Sequence, residues 1–160
     1  MKKSILMRIS FLIIFSLMCL PTSAQNKSEK VNAEISEVLN LWNSAAKNSN
    51  TDQALSLFDE TDNIMLVGSD SGEVFKGKDQ IRGWLNRLFK HNSFSWEMNR
   101  IDIDSFENTA WVFMDGFMVV SNDKGKTRKV PYRFTGIMVK KDNTWKWRLF
   151  NGSAPSVSRD

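Results

Sequence analysis

From Val67 to Leu85 the chain reads "VGSDSGEVFKGKDQIRGWL". An apolar strand signal, "NIMLV" (63–67), leads into it. "SDSG" (69–72) gathers residues that turn a backbone, and "EVFK" (73–76) returns as a short strand. Gly77 ends that strand, and Asp79 stands where a helix takes a cap or an early acid. Ile81, Trp84, Leu85, Leu88 and Phe89 then recur at helical spacing. Glycines 72 and 77 supply the backbone freedom that such turns need. Glu73 is surplus to a turn. It is expected to pair with Arg82 or Arg133 and fix the hairpin; the other reading puts it at the rim of a pocket.

Towards the N-terminus, Val31, Ile35, Val38, Leu39, Trp42, Ala45 and Ala46 form one apolar stripe of a long helix. Residues 25–30 are polar and are expected to form a loose lead-in. Thr51 or Asp52 caps a short helix carrying Ala54, Leu55 and Phe58. Towards the C-terminus everything reads as strand. Phe94, Trp96 and Met98 alternate on one face, and Ile101 and Ile103 on the other parity, so a bulge is expected near Asn99–Arg100. "TAWVFMDGFMVV" (109–120) is apolar on both parities and should be covered on both faces. "NDKGK" (122–126) and Asp142-Asn143 turn the chain into two further strands. The fold class is therefore α+β, with three helices on a curved, mostly antiparallel sheet. A bent sheet wrapped on a long helix makes a cone, and apolar walls at its mouth suit a small ligand.

The first 24 residues read as a secretory signal peptide. Lys2, Lys3 and Arg8 precede the apolar run Ile9–Leu20, and "TSA" (22–24) offers a cleavage site before Gln25. A lipoprotein anchored at Cys19 is disfavoured, because Met18 is bulky where a small residue should stand. The expectation is a secreted or periplasmic protein with one domain over 25–160. Of the 22 basic residues three lie in the leader, as do none of the 18 acidic ones, so the mature chain carries +1. That balance gives no basic stripe for nucleic acid, and no membrane contact is expected after cleavage. The single Cys leaves with the leader. One His and no mature Cys make a metal site or other cofactor unexpected. The apolar core alone must hold the fold, and six Trp serve it.

The order of elements and two motifs resemble the nuclear transport factor 2-like superfamily, in its SnoaL-like branch. "VGSDSGEVFKGKDQIRGWL" looks like that family's strand–turn–Glu–strand–Gly–helix passage. "YRFTGIMVKKDNTWKWRLFNGSAPS" (132–156) looks like its last hairpin and terminal Ser-Pro. The resemblance covers roughly Val31 to Pro155. It implies a cone that hosts isomerases, cyclases, dehydratases, pure binders and oligomerisation modules. Steroid isomerases of the superfamily use an Asp base with Tyr and protonated-Asp donors. Relatives often carry His where this chain has Leu149 and Asn151, so chemistry that depends on that His is not expected here.

Asp115 is the candidate catalytic acid–base residue, because it interrupts an apolar strand on the parity of Trp111, Phe113 and Phe117. Arg133 is a candidate anchor for a ligand carboxylate, or else a partner for Asp115. Trp145, Trp147, Leu149 and Asn151 share one parity of the last strand, opposite Lys146 and Arg148. Trp42, Trp84, Phe113, Tyr132, Arg133, Trp147 and Asn151 are thus the expected ligand-binding set, around Asp115. The expected function is binding of a small, largely apolar molecule. The alternatives are an isomerase, cyclase or dehydratase with Asp115 as base, and a protein–protein module without small-molecule chemistry. A homodimer through the sheet is expected from the two-faced apolar strand. An inward Asp115 favours chemistry; an outward one favours the interaction module.

Overall fold

The computed structural model describes residues 22–156. The leader lies mostly outside the described residues. Helix α1 runs over Thr22–Lys47, α2 over Thr51–Ser56 and α3 over Gly77–Leu88. Strands β1 (Met65–Val67) and β2 (Val74–Lys76) separate α3 from the other two helices. The sheet continues with β3 (Asn92–Phe106), β4 (Thr109–Asn122), β5 (Thr127–Lys141) and β6 (Thr144–Ser153). The architecture is thus one long helix and two shorter ones, the third placed after the first hairpin. Residues 25–30 belong to α1 instead of preceding it; Lys and Glu propagate a helix well and nothing there breaks one. No helix among the described residues is long and apolar enough to cross a membrane.

The curved six-stranded sheet has the order β2-β1-β6-β5-β4-β3. All pairings are antiparallel except β1 with β6, so the sheet is mixed. The β1–β2 turn is held by Gly68 N–H donating to the Glu73 carbonyl at 2.8 Å, and Gly72 takes a left-handed φ of 81° there. Asp142 and Asn143 both adopt positive φ, 47° and 60°. That is the type I′ geometry that matches strand twist in a two-residue hairpin.

Every residue of the predicted α1 stripe is buried, and α1 packs across β3 and β6. Trp42 stacks on Trp96 at 5.8 Å and meets Phe58 and Phe150 at 6.0 and 5.1 Å. Asn43 on α1 clamps β3 from both sides of one residue: its Oδ1 accepts from Trp96 N–H at 2.8 Å and its Nδ2 donates to the Trp96 carbonyl at 3.2 Å.

Two bulges set which side chains face the helices. The first shifts the β3–β4 register between Met98 and Arg100, where the sequence predicts it. Gly116 opposes it, and a Cβ there would lie 2.0 Å from the Glu97 carbonyl, so only glycine admits the bent strand. The second shifts β5–β6: Ile137 opposes Leu149 while Met138 opposes Trp147, leaving Arg148 as the extra residue. Trp145 and Trp147 therefore face inward, and after the bulge Phe150 and Gly152 do.

Candidate functional site

The inner face of β4 is the even one. Ala110, Val112, Met114, Gly116 and Val120 are buried, while Trp111 is 46% exposed. On β5 the inner residues are Tyr132, Phe134, Gly136 and Met138. Physical space explains this assignment. The helix side already carries Trp42 and the sheet's own Trp96 and Trp147, so β4 contributes smaller side chains there.

A cavity of about 260 Å³ opens between α1, α3, the β1–β2 turn and the inner sheet face. Trp42 comes from α1, and Trp84, Leu88 and Phe89 from α3 or its end. Phe94 and Trp96 of β3, Met118 and Val120 of β4, and Phe150 of β6 complete the apolar walls. The polar groups are few. Gly68, Ser69, Asp70 and Glu73 supply one rim, Tyr132 rises from β5, and Asn92 and Arg128 stand at the sheet's far end.

Glu73 is fixed there by two donors. Its Oε1 accepts from the Trp84 indole N–H at 2.9 Å, and its Oε2 from the Asp70 backbone N–H at 3.1 Å. It pairs with neither Arg82 nor Arg133: Arg82 reaches Asp52 at 2.5 Å and Arg133 reaches Asp115 at 2.6 Å. Gly68 makes room for this carboxylate, since a Cβ there would lie 2.0 Å from Glu73 Oε2. The Ser69–Gly72 turn is thus both a hairpin and the cavity's rim. Trp84 is in turn tilted against Phe75 at 5.6 Å, so β2 braces it.

Tyr132 is 5% exposed. Its hydroxyl sits over Gly152, where a Cβ would come within 1.8 Å. Burial pushes its phenol up, the negative charges of Glu73 and Asp70 push it further, and the Ser69 side chain opposes them. The phenol is therefore a neutral donor and acceptor at any ordinary pH. The indole N–H groups of Trp42 and Trp96 are sealed in the wall without a protein acceptor.

Of the expected set, the structure brings Trp42, Trp84 and Tyr132 together at the cavity. Trp147 does not line it. That residue is fully buried beneath Gly136, packing edge-on against Phe134 and Phe150. Asp115, Phe113, Arg133 and Asn151 lie on the sheet's other face. Asp115 and Arg133 are register partners, half-exposed, and joined by the Arg133 Nε–H donating to Asp115 Oδ1 at 2.6 Å. Phe113 lies under the Arg100 guanidinium at 5.8 Å, and Asn151 is exposed beside Thr135. For Asp115 and Phe113 the expectation erred by assigning the aromatic parity of β4 to the inside. For Asn151 it erred because the bulge at Arg148 exchanges the faces of β6.

The cavity's Phe94, Trp96 and Phe150 were readable as apolar strand residues but not as wall, because cavities form where packing stops. Glu73 carried the one available signal, an acid that the turn did not require.

The SnoaL-like domain model matches residues 35–156. No curated protein matches the chain. Among solved structures it is similar to a candidate dehydratase of the nuclear transport factor 2-like family from Streptomyces avermitilis (TM-score 0.72, 10% identity, 81% of this chain and 99% of that one). It is also similar to a candidate scytalone dehydratase from Novosphingobium aromaticivorans (TM-score 0.71, 15% identity, 84% and 89%). A third is a ketosteroid isomerase-like protein from Erwinia carotovora atroseptica (TM-score 0.64, 16% identity, 78% and 96%). Identities this low carry the fold and not the reaction. With the family model covering most of the chain and the curved sheet packed on α1, the chain belongs to the SnoaL-like family of the nuclear transport factor 2-like superfamily.

Proposed function

We propose that this domain binds a small, largely apolar molecule in the cavity between α1, α3 and the inner sheet face. The observation that carries the reading is the cavity itself: aromatic walls from four separate elements, with polar groups confined to Tyr132 and the rims. Native mass spectrometry of the purified protein tests it. A bound small molecule that leaves on denaturation is the expected result. No adduct, together with no thermal shift from a panel of mono- and bicyclic compounds, would remove the basis for it.

A proton-transfer enzyme working in the same cavity is the second reading. Its favouring observation is a carboxylate, Glu73, and a phenol, Tyr132, lining one space. Asp115, the acid the sequence suggests as base, is turned away on the outer face in an ion pair, so Glu73 takes that role in this reading.

The protein is further proposed to act as an exported homodimer. The leader's basic start, apolar run and "TSA" site support export; N-terminal sequencing of protein from the producing cell should begin at Gln25. The outer sheet face supports the dimer, since Trp111 and Ile137 are register partners there and both stand largely in solvent, 46% and 40% exposed.

A further inference from the structure

We infer that the cavity's ligand is a cation: an ammonium group carried on an apolar body. The inference rests on the ligand-binding reading above and names the charge of what is bound.

The first observation is the sign of the uncompensated charge. Asp70 and Glu73 both line the cavity. Neither belongs to any ion pair among the described residues. Glu73 is held instead by two neutral donors, the Trp84 indole and the Asp70 amide. Neutral donors fix a carboxylate without cancelling its field, so the negative charge remains available to a ligand. Tyr132 senses that field, because Glu73 and Asp70 are the charges that hinder its ionisation.

The second observation is the walls. Trp42, Trp84, Trp96, Phe94 and Phe150 present aromatic surface to the same space. An aromatic ring face carries the negative end of its quadrupole and attracts ammonium groups, most strongly when water is excluded. Tyr132 adds a buried hydroxyl, which the Ser69 side chain meets from the rim. Its lone pairs are a further acceptor for an ammonium N–H.

Among the described residues the one cation lining the cavity is Arg128. It is exposed, and it lies four residues along β5 from Tyr132, about 13 Å away at strand rise. It therefore stands at the opposite rim and leaves the acidic end uncancelled.

The test uses three matched probes: trimethylphenylammonium, its neutral isostere tert-butylbenzene, and the anion phenylacetate. Binding is followed by tryptophan fluorescence, since three of the six Trp line the cavity, and by calorimetry in low salt. The cation should bind at least about ten-fold more tightly than the neutral isostere, and phenylacetate more weakly than either. Glu73→Gln should bring the cation-to-neutral ratio towards one, the ratio cancelling any change in the aromatic wall that both probes share. Asp70→Asn, at an exposed position that the fold does not need, should reduce the ratio by a smaller factor. Equal or tighter binding of the neutral or anionic probe would overturn the charge assignment and leave the cavity reading standing. Failure of all three probes to bind would overturn both.

Discussion

Arg148 is the residue that the β5–β6 pairing leaves over, and its guanidinium lies 2.5 Å from the carboxylate of Asp59. The bulge and the buried acid explain one another. Asp59 follows α2 and is 1% exposed. Its backbone N–H donates to the Trp147 carbonyl at 3.0 Å, which ties the segment to the strand just before the bulge. Lys141 reaches the other carboxylate oxygen at 2.8 Å, and the Glu60 amide donates to it at 2.8 Å. A bulge aims one side chain out of the ladder; here it is aimed at the one buried charged side chain among the described residues.

Asp59→Asn should therefore cost about 3 kcal/mol, since it leaves Arg148 and Lys141 facing a neutral group. A drop in melting temperature on the order of 10 °C is expected. Burial raises the Asp59 carboxyl, but Lys141, the Glu60 amide and Arg148 outweigh it, so the folded value is depressed. The stabilisation is then present above the unfolded value of about 4 and is lost as pH falls through the folded one. Denaturant titrations at about pH 7 and about pH 3 should show a smaller difference for Asp59→Asn than for wild type. An unchanged difference would mean that Asp59 is already protonated in the native state.

Tyr132 is the only tyrosine, which makes its ionisation directly visible in absorbance. Burial, then Glu73, then Asp70 raise its folded value. A raised value means that this group's contribution to stability is full below the unfolded value of about 10 and is lost as pH rises above it. The phenolate signal of native protein should lag well behind that of the protein in urea. Asp70→Asn should move the native transition downward. Native ionisation near the ordinary value would place the hydroxyl in solvent.

The dimer is tested away from the cavity. Light scattering at tens of micromolar should give twice the monomer mass, consistent with an interface on the order of 1,200–2,000 Å². Ile137→Glu should yield monomer, because it puts a carboxylate at a position facing Trp111 across the strand pair. Ile137 is exposed, so the monomer should keep its fold and its probe binding. A wild-type monomer would end the proposal.

The helices were legible in the sequence because each rests on local period: every predicted α1 stripe residue is buried. The first bulge was legible because the apolar phase visibly slips after Met98. The second was not, because Leu149 and Phe150 are both apolar and hide the exchange of faces. Asp115 was misplaced for a related reason. An aromatic parity suggests a core, yet Trp111, Phe113 and Phe117 belong to the outer face. Glu73 was legible as surplus, but its partner Trp84 was not, since an indole N–H leaves no charge pattern to read.

Gly136 and Gly68 both make room for large side chains, and they should not respond alike to alanine. At Gly136 the added Cβ would meet the Trp147 ring at 2.4 Å and the Leu149 carbonyl at 2.8 Å. Both obstacles are fixed: Trp147 is fully buried and the carbonyl belongs to the ladder. Gly136→Ala should cost at least about 2 kcal/mol, as overpacking of a rigid core does. At Gly68 the Cβ would meet the Glu73 side chain first, 2.0 Å from Oε2 and 2.8 Å from its Cβ. The carboxylate can swing aside while the Glu73 Cβ, tied to the backbone, must shift slightly with its turn, so Gly68→Ala should cost about 1 kcal/mol, less than Gly136→Ala. It should nevertheless break the hydrogen bond from Trp84 and change that indole's fluorescence. It should also lower the Tyr132 transition by moving Glu73's charge away from the phenol. Urea melts and the tyrosine titration of the two variants separate these outcomes. If Gly68→Ala instead destabilises as much as Gly136→Ala, Glu73 is a rigid part of the core and the rim of the cavity does not yield.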